Sequence, residues 1–276
     1  MPVRPRQYDS LVAPTYLDQI LAFHRARAAG DDRDWRARLE SVHYDGPSMY
    51  FALSNPVQTD VGVIAEVKRR SPSLGWLDQD LDAAALATTY QLSGASAISV
   101  LTDEEFFSGS SDDLRSVVSA VTLPVLRKDF TINANDVIDT AEMGASTVLL
   151  IVAALSDTEL VGLLDVAQIC GIDALVEVHD RDEARRAVQF GARIIGVNQR
   201  NLRTFEVDAE HAASVIDSLP TDIVAVCESG LRSSADVERA ALAGFDAVLV
   251  GETFVTAEDV ESTVRSFSRV PKALRD

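Results

Sequence analysis

A chain of 276 residues that is 47 % hydrophobic has ample apolar content for a substantial core, in one large α/β domain or two small ones. Its 25 Lys and Arg against 43 Asp and Glu leave a formal charge of −18. That balance excludes nucleic acid or an anionic membrane as the main partner, and any anionic substrate must be held by a local positive site.

Two cysteines without C-x-x-C spacing fit buried thiols of a reducing compartment, and four scattered histidines carry no zinc signature, so no metal site is expected. The longest uninterrupted apolar run, from Val148 to Leu155, is far too short to cross a bilayer. The opening MPVRPRQYDS has no apolar signal core. A cytoplasmic protein with no membrane partner is expected.

In chain order, residues 1–13 read as a disordered lead-in. Leu17, Ile20, Leu21 and His24 then follow helical spacing to about Gly30. Asp31 to Glu40 reads as a continuing solvated helix, followed by a loop at Gly46-Pro47. Residues 1–60 thus form an extension that precedes a repeating unit over 61–276. In that unit a helix closes on Gly94, Gly144, Gly191 or Gly244 and an apolar strand follows at once. A glycine just past a helix supplies the left-handed C-cap without steric cost.

Eight strands are predicted, over 62–68, 96–102, 124–129, 147–152, 174–178, 194–199, 222–228 and 246–251. Helices lie between them, with Asn133, Ser233 or Ser234, and the box Ser156–Glu159 as their start signals. Strict alternation requires parallel strands with crossover helices, in a doubly wound sheet or a (β/α)8 barrel. Eight units without a Gly-x-Gly-x-x-Gly favour the (β/α)8 TIM barrel.

Period-two alternation then sorts the strand ends. Glu66 shares a face with Lys68, Leu126 with Lys128 and Phe130, Leu175 with Glu177, and Gly196 with Asn198 and Arg200. Ala225, Cys227 and Ser229 share a face on the seventh strand, as do Leu249 and Gly251 on the eighth. Glu228, of opposite parity, reads as a supporting residue, and His179 as packing in the loop after its strand. Three cations against two carboxylates leave one net positive charge at the carboxyl mouth, where barrels of this kind carry their active sites. Ser229-Gly230 and Gly251-Glu252, after the last two strands, read as a backbone cradle for a phosphate or as two ordinary turns. Phe107 and Phe130 are placed to wall an aromatic ligand or to join the core.

The run Ile64-Ala65-Glu66-Val67-Lys68-Arg69-Arg70-Ser71-Pro72-Ser73 resembles the opening-strand signature of the indole-3-glycerol phosphate synthase family. Later motifs follow in order: Ile98 to Thr102 with Phe107 to Ser110, Leu126 to Phe130, Leu175 to Val178, Gly196 to Leu202, and Glu228-Ser229-Gly230. The resemblance runs from about residue 15 to the end. It implies a barrel with an N-terminal helical extension covering its mouth, no cofactor, and a small anionic phosphorylated substrate.

The reaction it implies closes the indole ring of 1-(2-carboxyphenylamino)-1-deoxyribulose 5-phosphate with loss of carbon dioxide and water, in tryptophan biosynthesis. By the same resemblance Lys128 is the general acid, tuned toward neutral pH by burial beside other cations, and Glu177 is the second acid/base group. Lys68, Arg200 and Ser71 hold the substrate carboxylate, Glu66 and Asn198 orient the lysines and sugar hydroxyls, and Ser229 is a further polar contact. Gly230, Gly251 and Glu252 take the phosphate, and Phe107, Phe130 and Leu149 contact the aromatic ring.

Leu74 and Trp76 depart from the small or polar residues usual in the first loop. A phosphoribosylanthranilate isomerase-like barrel, with Cys227 as its acid/base group, and a non-catalytic paralogue are the alternatives. A monomer or weak homodimer is expected, and the chain's end soon after the eighth helix suggests no second enzyme behind the barrel.

Overall fold

The computed structural model describes residues 15–54, 59–71, 74–200, 207–273 and 275. The predicted lead-in over 1–13, and Pro72, Ser73, Asn201 and Leu202 of the family motifs, lie outside them. The strands are β1 (Gly62–Val67), β2 (Arg70–Ser71), β3 (Gly75–Trp76), β4 (Ala97–Leu101), β5 (Val125–Lys128), β6 (Thr147–Ile151), β7 (Asp173–Val178), β8 (Ile194–Asn198), β9 (Val224–Glu228) and β10 (Ala247–Val250). Three helices precede β1: α1 (Tyr16–Ala29), α2 (Trp35–Leu39) and α3 (Met49–Ser54). Those after it are α4 (Ala83–Leu92), α5 (Glu104–Phe107), α6 (Ser111–Ala120), α7 (Ala134–Glu142), α8 (Asp157–Cys170), α9 (Arg181–Gln189), α10 (Ala209–Ile216), α11 (Ser234–Leu242), α12 (Glu252–Val255) and α13 (Val260–Phe267).

Eight strands close in the order β1-β10-β9-β8-β7-β6-β5-β4, and every pairing is parallel. The predicted (β/α)8 barrel is therefore the fold, and each predicted strand lies within two residues of its observed bounds. β2 and β3, an antiparallel pair in the first loop, were not anticipated. Gly94, Gly144, Gly191 and Gly244 all take positive φ, as the helix–glycine–strand phrase requires. The Ser156–Glu159 capping box forms at the start of α8, and Asn133 caps α7.

Ile64, Leu126, Leu175 and Leu249 are almost fully buried, and each such side chain contributes about 1.5–3 kcal/mol relative to exposure. At the base Asp246 accepts from the Ala225 N–H and from Arg275, tying the C-terminal residues beneath the barrel.

The N-terminal extension wraps the barrel from mouth to base. α1 follows its predicted spacing, and Tyr16, Leu17 and Ile20 border the cavity at the mouth. The predicted solvated helix from Asp31 does not continue α1. The chain breaks after Gly30, and Asp34 caps the short α2. That stretch is docked, because Arg33 and Arg38 reach Asp139 of α7 and Trp35 packs on the core. α3 lies at the opposite end, where the Ser48 hydroxyl and the Tyr50 N–H donate to Asp173 at the start of β7. Of the three helices of the extension, α1 borders the mouth, α2 packs on α7 and α3 on the start of β7.

α1 is fixed by a buried contact. His24 Nε2 lies 2.7 Å from Asp103 Oδ2, and both side chains are 1 % exposed. Asp103 Oδ1 accepts from the Phe106 and Phe107 backbone N–H groups, so the same carboxylate caps α5 and places Phe107. His24 also lies against Phe130, with ring centroids 5.3 Å apart. Asp129 comes within 4.8 Å of this pair. Its carboxylate is engaged by Arg127 and by the Thr102 hydroxyl, so contacts within the protein account for the group.

Substituting His24→Leu keeps the apolar contact but leaves Asp103 Oδ2 without its buried partner. A loss of about 2 kcal/mol is expected in a urea titration. An unchanged midpoint would show that this contact does not hold the extension down.

Candidate active site

A cavity of about 580 Å³ opens at the carboxyl ends of the strands. It brings together every residue proposed from the sequence: Glu66, Lys68, Ser71, Phe107, Lys128, Phe130, Leu149, Glu177, Asn198, Arg200, Ser229, Gly230, Gly251 and Glu252 all line it. Glu66, Lys68, Lys128, Glu177 and Asn198 sit at, or just beyond, the end of a barrel strand on its lumen face, whereas Leu149 lies midway along β6, Ser71 on β2, Phe107 on α5 and Glu252 on α12. Strand register carries the alternation around the ring, with Ile151 beside Glu177, Glu177 beside Gly196, and Asn198 beside Glu228.

Register overturns the parity assigned to the seventh strand. Glu228 shares its level with Asn198 and therefore faces the lumen, whereas Cys227 faces outward and takes a hydrogen bond from Gln199 Nε2. Burial pushes the Cys227 thiol up to about 12. A thiol so placed and so weakly acidic removes the acid/base group on which the isomerase alternative relied.

Ser229 also reaches the site because its φ of 69° breaks the alternation just after Glu228. Both consecutive polar side chains therefore serve one mouth. Gly196 makes room for Glu228, since a methyl group there would overlap the Glu228 carboxylate.

The polar groups form two linked sets. Lys68 Nζ lies 2.7 Å from Glu66 Oε1, beside Gly251, where a Cβ would intrude on both. Lys128 Nζ lies 3.3 Å from Glu177 Oε2 and 3.7 Å from Glu228 Oε2. Asn198 Nδ2 donates to Glu177 Oε1 at 3.1 Å, and the Ser229 hydroxyl donates to Asn198 Oδ1 at 2.8 Å. A continuous hydrogen-bonded path thus runs from Lys128 through Glu177 and Asn198 to Ser229.

The electrostatics correct a second expectation. Burial acts to lower the Lys128 ammonium, but Glu177, Glu228 and Glu66 outweigh it and raise it above the usual lysine range. Lys128 is therefore a fixed cation, with carboxylates as its near neighbours and not other cations. Burial acts to raise Glu177, yet Lys128 and then His179 hold it below the ordinary carboxylate range. Glu228 moves the other way, because burial and the neighbouring Glu177 raise its carboxyl past neutrality.

Phe107 and Phe130 stand with centroids 6.2 Å apart beside Leu149, forming the apolar wall anticipated for them. Gly230 takes a φ of 76° and borders the cavity with Gly251 and Glu252. Arg232, which the strand-end pattern did not single out, also lines it. Leu74 borders the same space from the first loop, and Trp76 is exposed beside it. His179, expected to pack in its loop, instead approaches Glu177.

Among solved structures, thiamine phosphate pyrophosphorylase from Pyrococcus furiosus superposes with a TM-score of 0.57 at 13 % identity, covering 78 % of this chain and 96 % of that one. 3-Hexulose-6-phosphate synthase from Salmonella typhimurium gives 0.58 at 16 % identity, covering 76 % and 97 %. At such identities these likenesses show the barrel alone.

Sequence comparison is more specific. A synthase from Parafrankia sp. (strain EAN1pec), named indole-3-glycerol phosphate synthase, is 52 % identical over 248 residues, spanning 88 % of this chain and 91 % of the relative. One of the same name from Chlorobium chlorochromatii is 44 % identical over 254 residues, spanning 91 % and 99 %. The family model described as indole-3-glycerol phosphate synthase matches residues 19–267. The chain belongs to the indole-3-glycerol phosphate synthase family.

Proposed function

We propose that the chain converts 1-(2-carboxyphenylamino)-1-deoxyribulose 5-phosphate to indole-3-glycerol phosphate, carbon dioxide and water. The observation that carries this reading is a charged lysine, Lys128, 3.3 Å from Glu177 in one cavity that Phe107 and Phe130 also line. Ring closure places developing negative charge on the ketose oxygen as the aromatic carbon attacks. An ammonium within reach delivers a proton to that oxygen. Lys128 takes this role in the charged state that its carboxylate neighbours maintain.

Loss of carbon dioxide restores the aromatic ring and leaves an alcohol. Its departure as water needs a proton donor at the hydroxyl and a base for the carbon beside nitrogen. Glu177, ionised at rest and shared between Lys128 and Asn198, suits the base. Lys68, Arg200 and Ser71 suit the substrate carboxylate, with Glu66 orienting Lys68 at 2.7 Å. Asn198 and Ser229 suit the sugar hydroxyls. The backbone around Gly230, Gly251 and Glu252 suits the phosphate, and Phe107, Phe130 and Leu149 suit the ring.

Two free buried cysteines, and the lack of any helix among the described residues long and apolar enough to cross a membrane, support a cytoplasmic setting. A monomer or weak homodimer is proposed with it.

Purified protein incubated with the carboxyphenylamino substrate is expected to give indole fluorescence that grows with time. Absence of product between about pH 5 and 9, the span over which such acid/base groups titrate, would leave the chain a non-catalytic relative.

A further inference from the structure

His179 follows β7 two residues after Glu177, and the roles assigned above leave it unused. Its ring stands between two carboxylates. Nδ1 lies 3.2 Å from Glu183 Oε2, which also accepts the His179 backbone N–H at 2.7 Å. The other ring nitrogen, Nε2, is buried and makes no hydrogen bond, yet it faces Glu177 Oε1 at 3.5 Å. From α10, His211 Nε2 lies 2.8 Å from the His179 carbonyl oxygen and fixes the peptide. Glu228 acts on the ring from β9, and Lys128 stands beyond Glu177.

This arrangement constrains where a proton sits. With Nδ1–H directed at Glu183, a neutral imidazole would present the bare lone pair of Nε2 to a carboxylate oxygen. Two lone pairs at that separation repel, so a proton belongs between Nε2 and Oε1. Burial opposes the imidazolium, but Glu183 and Glu177 together outweigh it and raise the ring above its ordinary value.

We propose that His179 is a positioning residue for Glu177, a cation clamped between Glu183 and Glu177 that fixes the Glu177 carboxylate for the dehydration step. The cation stands behind Oε1, the oxygen that also accepts from Asn198, and leaves the Lys128 side of Glu177 facing the cavity. The inference rests on the assignment of Glu177 as the base.

The first test compares kcat against pH for the wild type and His179→Gln in the indole fluorescence assay. Glutamine retains a donor but no charge. Without the cation the Glu177 carboxyl titrates higher, so the acidic limb moves to higher pH by about one unit, within the range an adjacent charge produces. Below that limb the variant runs about tenfold slower than the wild type, the equivalent of that one-unit shift. A merely structural histidine would lower activity across the profile without moving the limb, and that result overturns the inference.

The second test needs no His179 variant. The imidazole protons of the four histidines are titrated by NMR in the wild type and in Glu177→Gln. Coupling is reciprocal, so one histidine that titrates high in the wild type falls when Glu177 loses its charge. If no histidine midpoint changes, the clamp does not exist. A wild type without turnover overturns the proposed reaction instead, and the NMR coupling reads the clamp independently of it.

Discussion

Lys128→Ala is expected to abolish indole formation, lowering kcat about 10³-fold or more, in the upper part of the range for loss of a general acid. The far-UV circular dichroism should stay that of the wild type, because Lys128 contributes no apolar packing to the lumen below it. The size of the effect follows from the neighbours of Lys128. Its ammonium is the cation placed between Glu177 and Glu228, 3.3 and 3.7 Å away. Removing it takes away the proton for the ketose oxygen and leaves the Glu177 carboxylate to confront the anionic substrate.

Lys128→Arg separates these losses. Arginine keeps the positive charge but holds its proton too tightly to donate it. A variant that binds substrate and does not turn over assigns the defect to proton transfer, and a Lys128→Ala variant with near-normal turnover would remove Lys128 from the role of acid.

The raised lysine also changes how the acid works. A lysine tuned toward neutrality would lose its proton to solvent at physiological pH. Here the carboxylates raise it, so the lysine proposed as the acid carries its proton at rest. The transfer becomes favourable only as the ketose oxygen turns into an alkoxide, a far stronger base than a free amine. Catalysis then depends on distance and orientation more than on a matched resting pKa.

The barrel was readable because its signals are local. A glycine after each helix, a capping box at Ser156 and short apolar runs are written within a few residues of each other. They agree with the parallel pairing that the closed sheet displays. Period-two counting put residues of five strands, the first, third, fifth, sixth and eighth, on the face that lines the cavity.

Counting failed where two polar residues adjoin. At Glu228-Ser229 the alternation favoured Ser229, and only pairing with β8 reveals that Glu228 faces inward. The left-handed turn at Ser229 then brings the second side chain back to the same mouth, and this depends on a backbone angle and not on residue type.

The charge state of Lys128 was hidden for a related reason. Read without Glu228 at the mouth, the lysine stands among the cations Lys68 and Arg200. The docking of α2 was equally non-local, since Arg33 and Arg38 find Asp139 across a hundred residues of chain. Their polar stretch looks solvated when read alone.

Glu177→Gln is the second large expected effect, a fall in kcat of about 10²-fold or more. The amide keeps the shape of the side chain and can still accept from Asn198, so the sugar and the aromatic ring should bind much as before. What it loses is the carboxylate that takes a proton, along with the partner of both Lys128 and His179. Decarboxylation precedes dehydration, so the two products report different steps. In a single turnover, carbon dioxide should appear faster than indole, and an alcohol intermediate should accumulate between them. Equal slowing of both products would place Glu177 in ring closure instead. An unchanged rate would contradict its assignment as an acid/base group. The divergence is specific to the base because removal of the acid at Lys128 stops both products together.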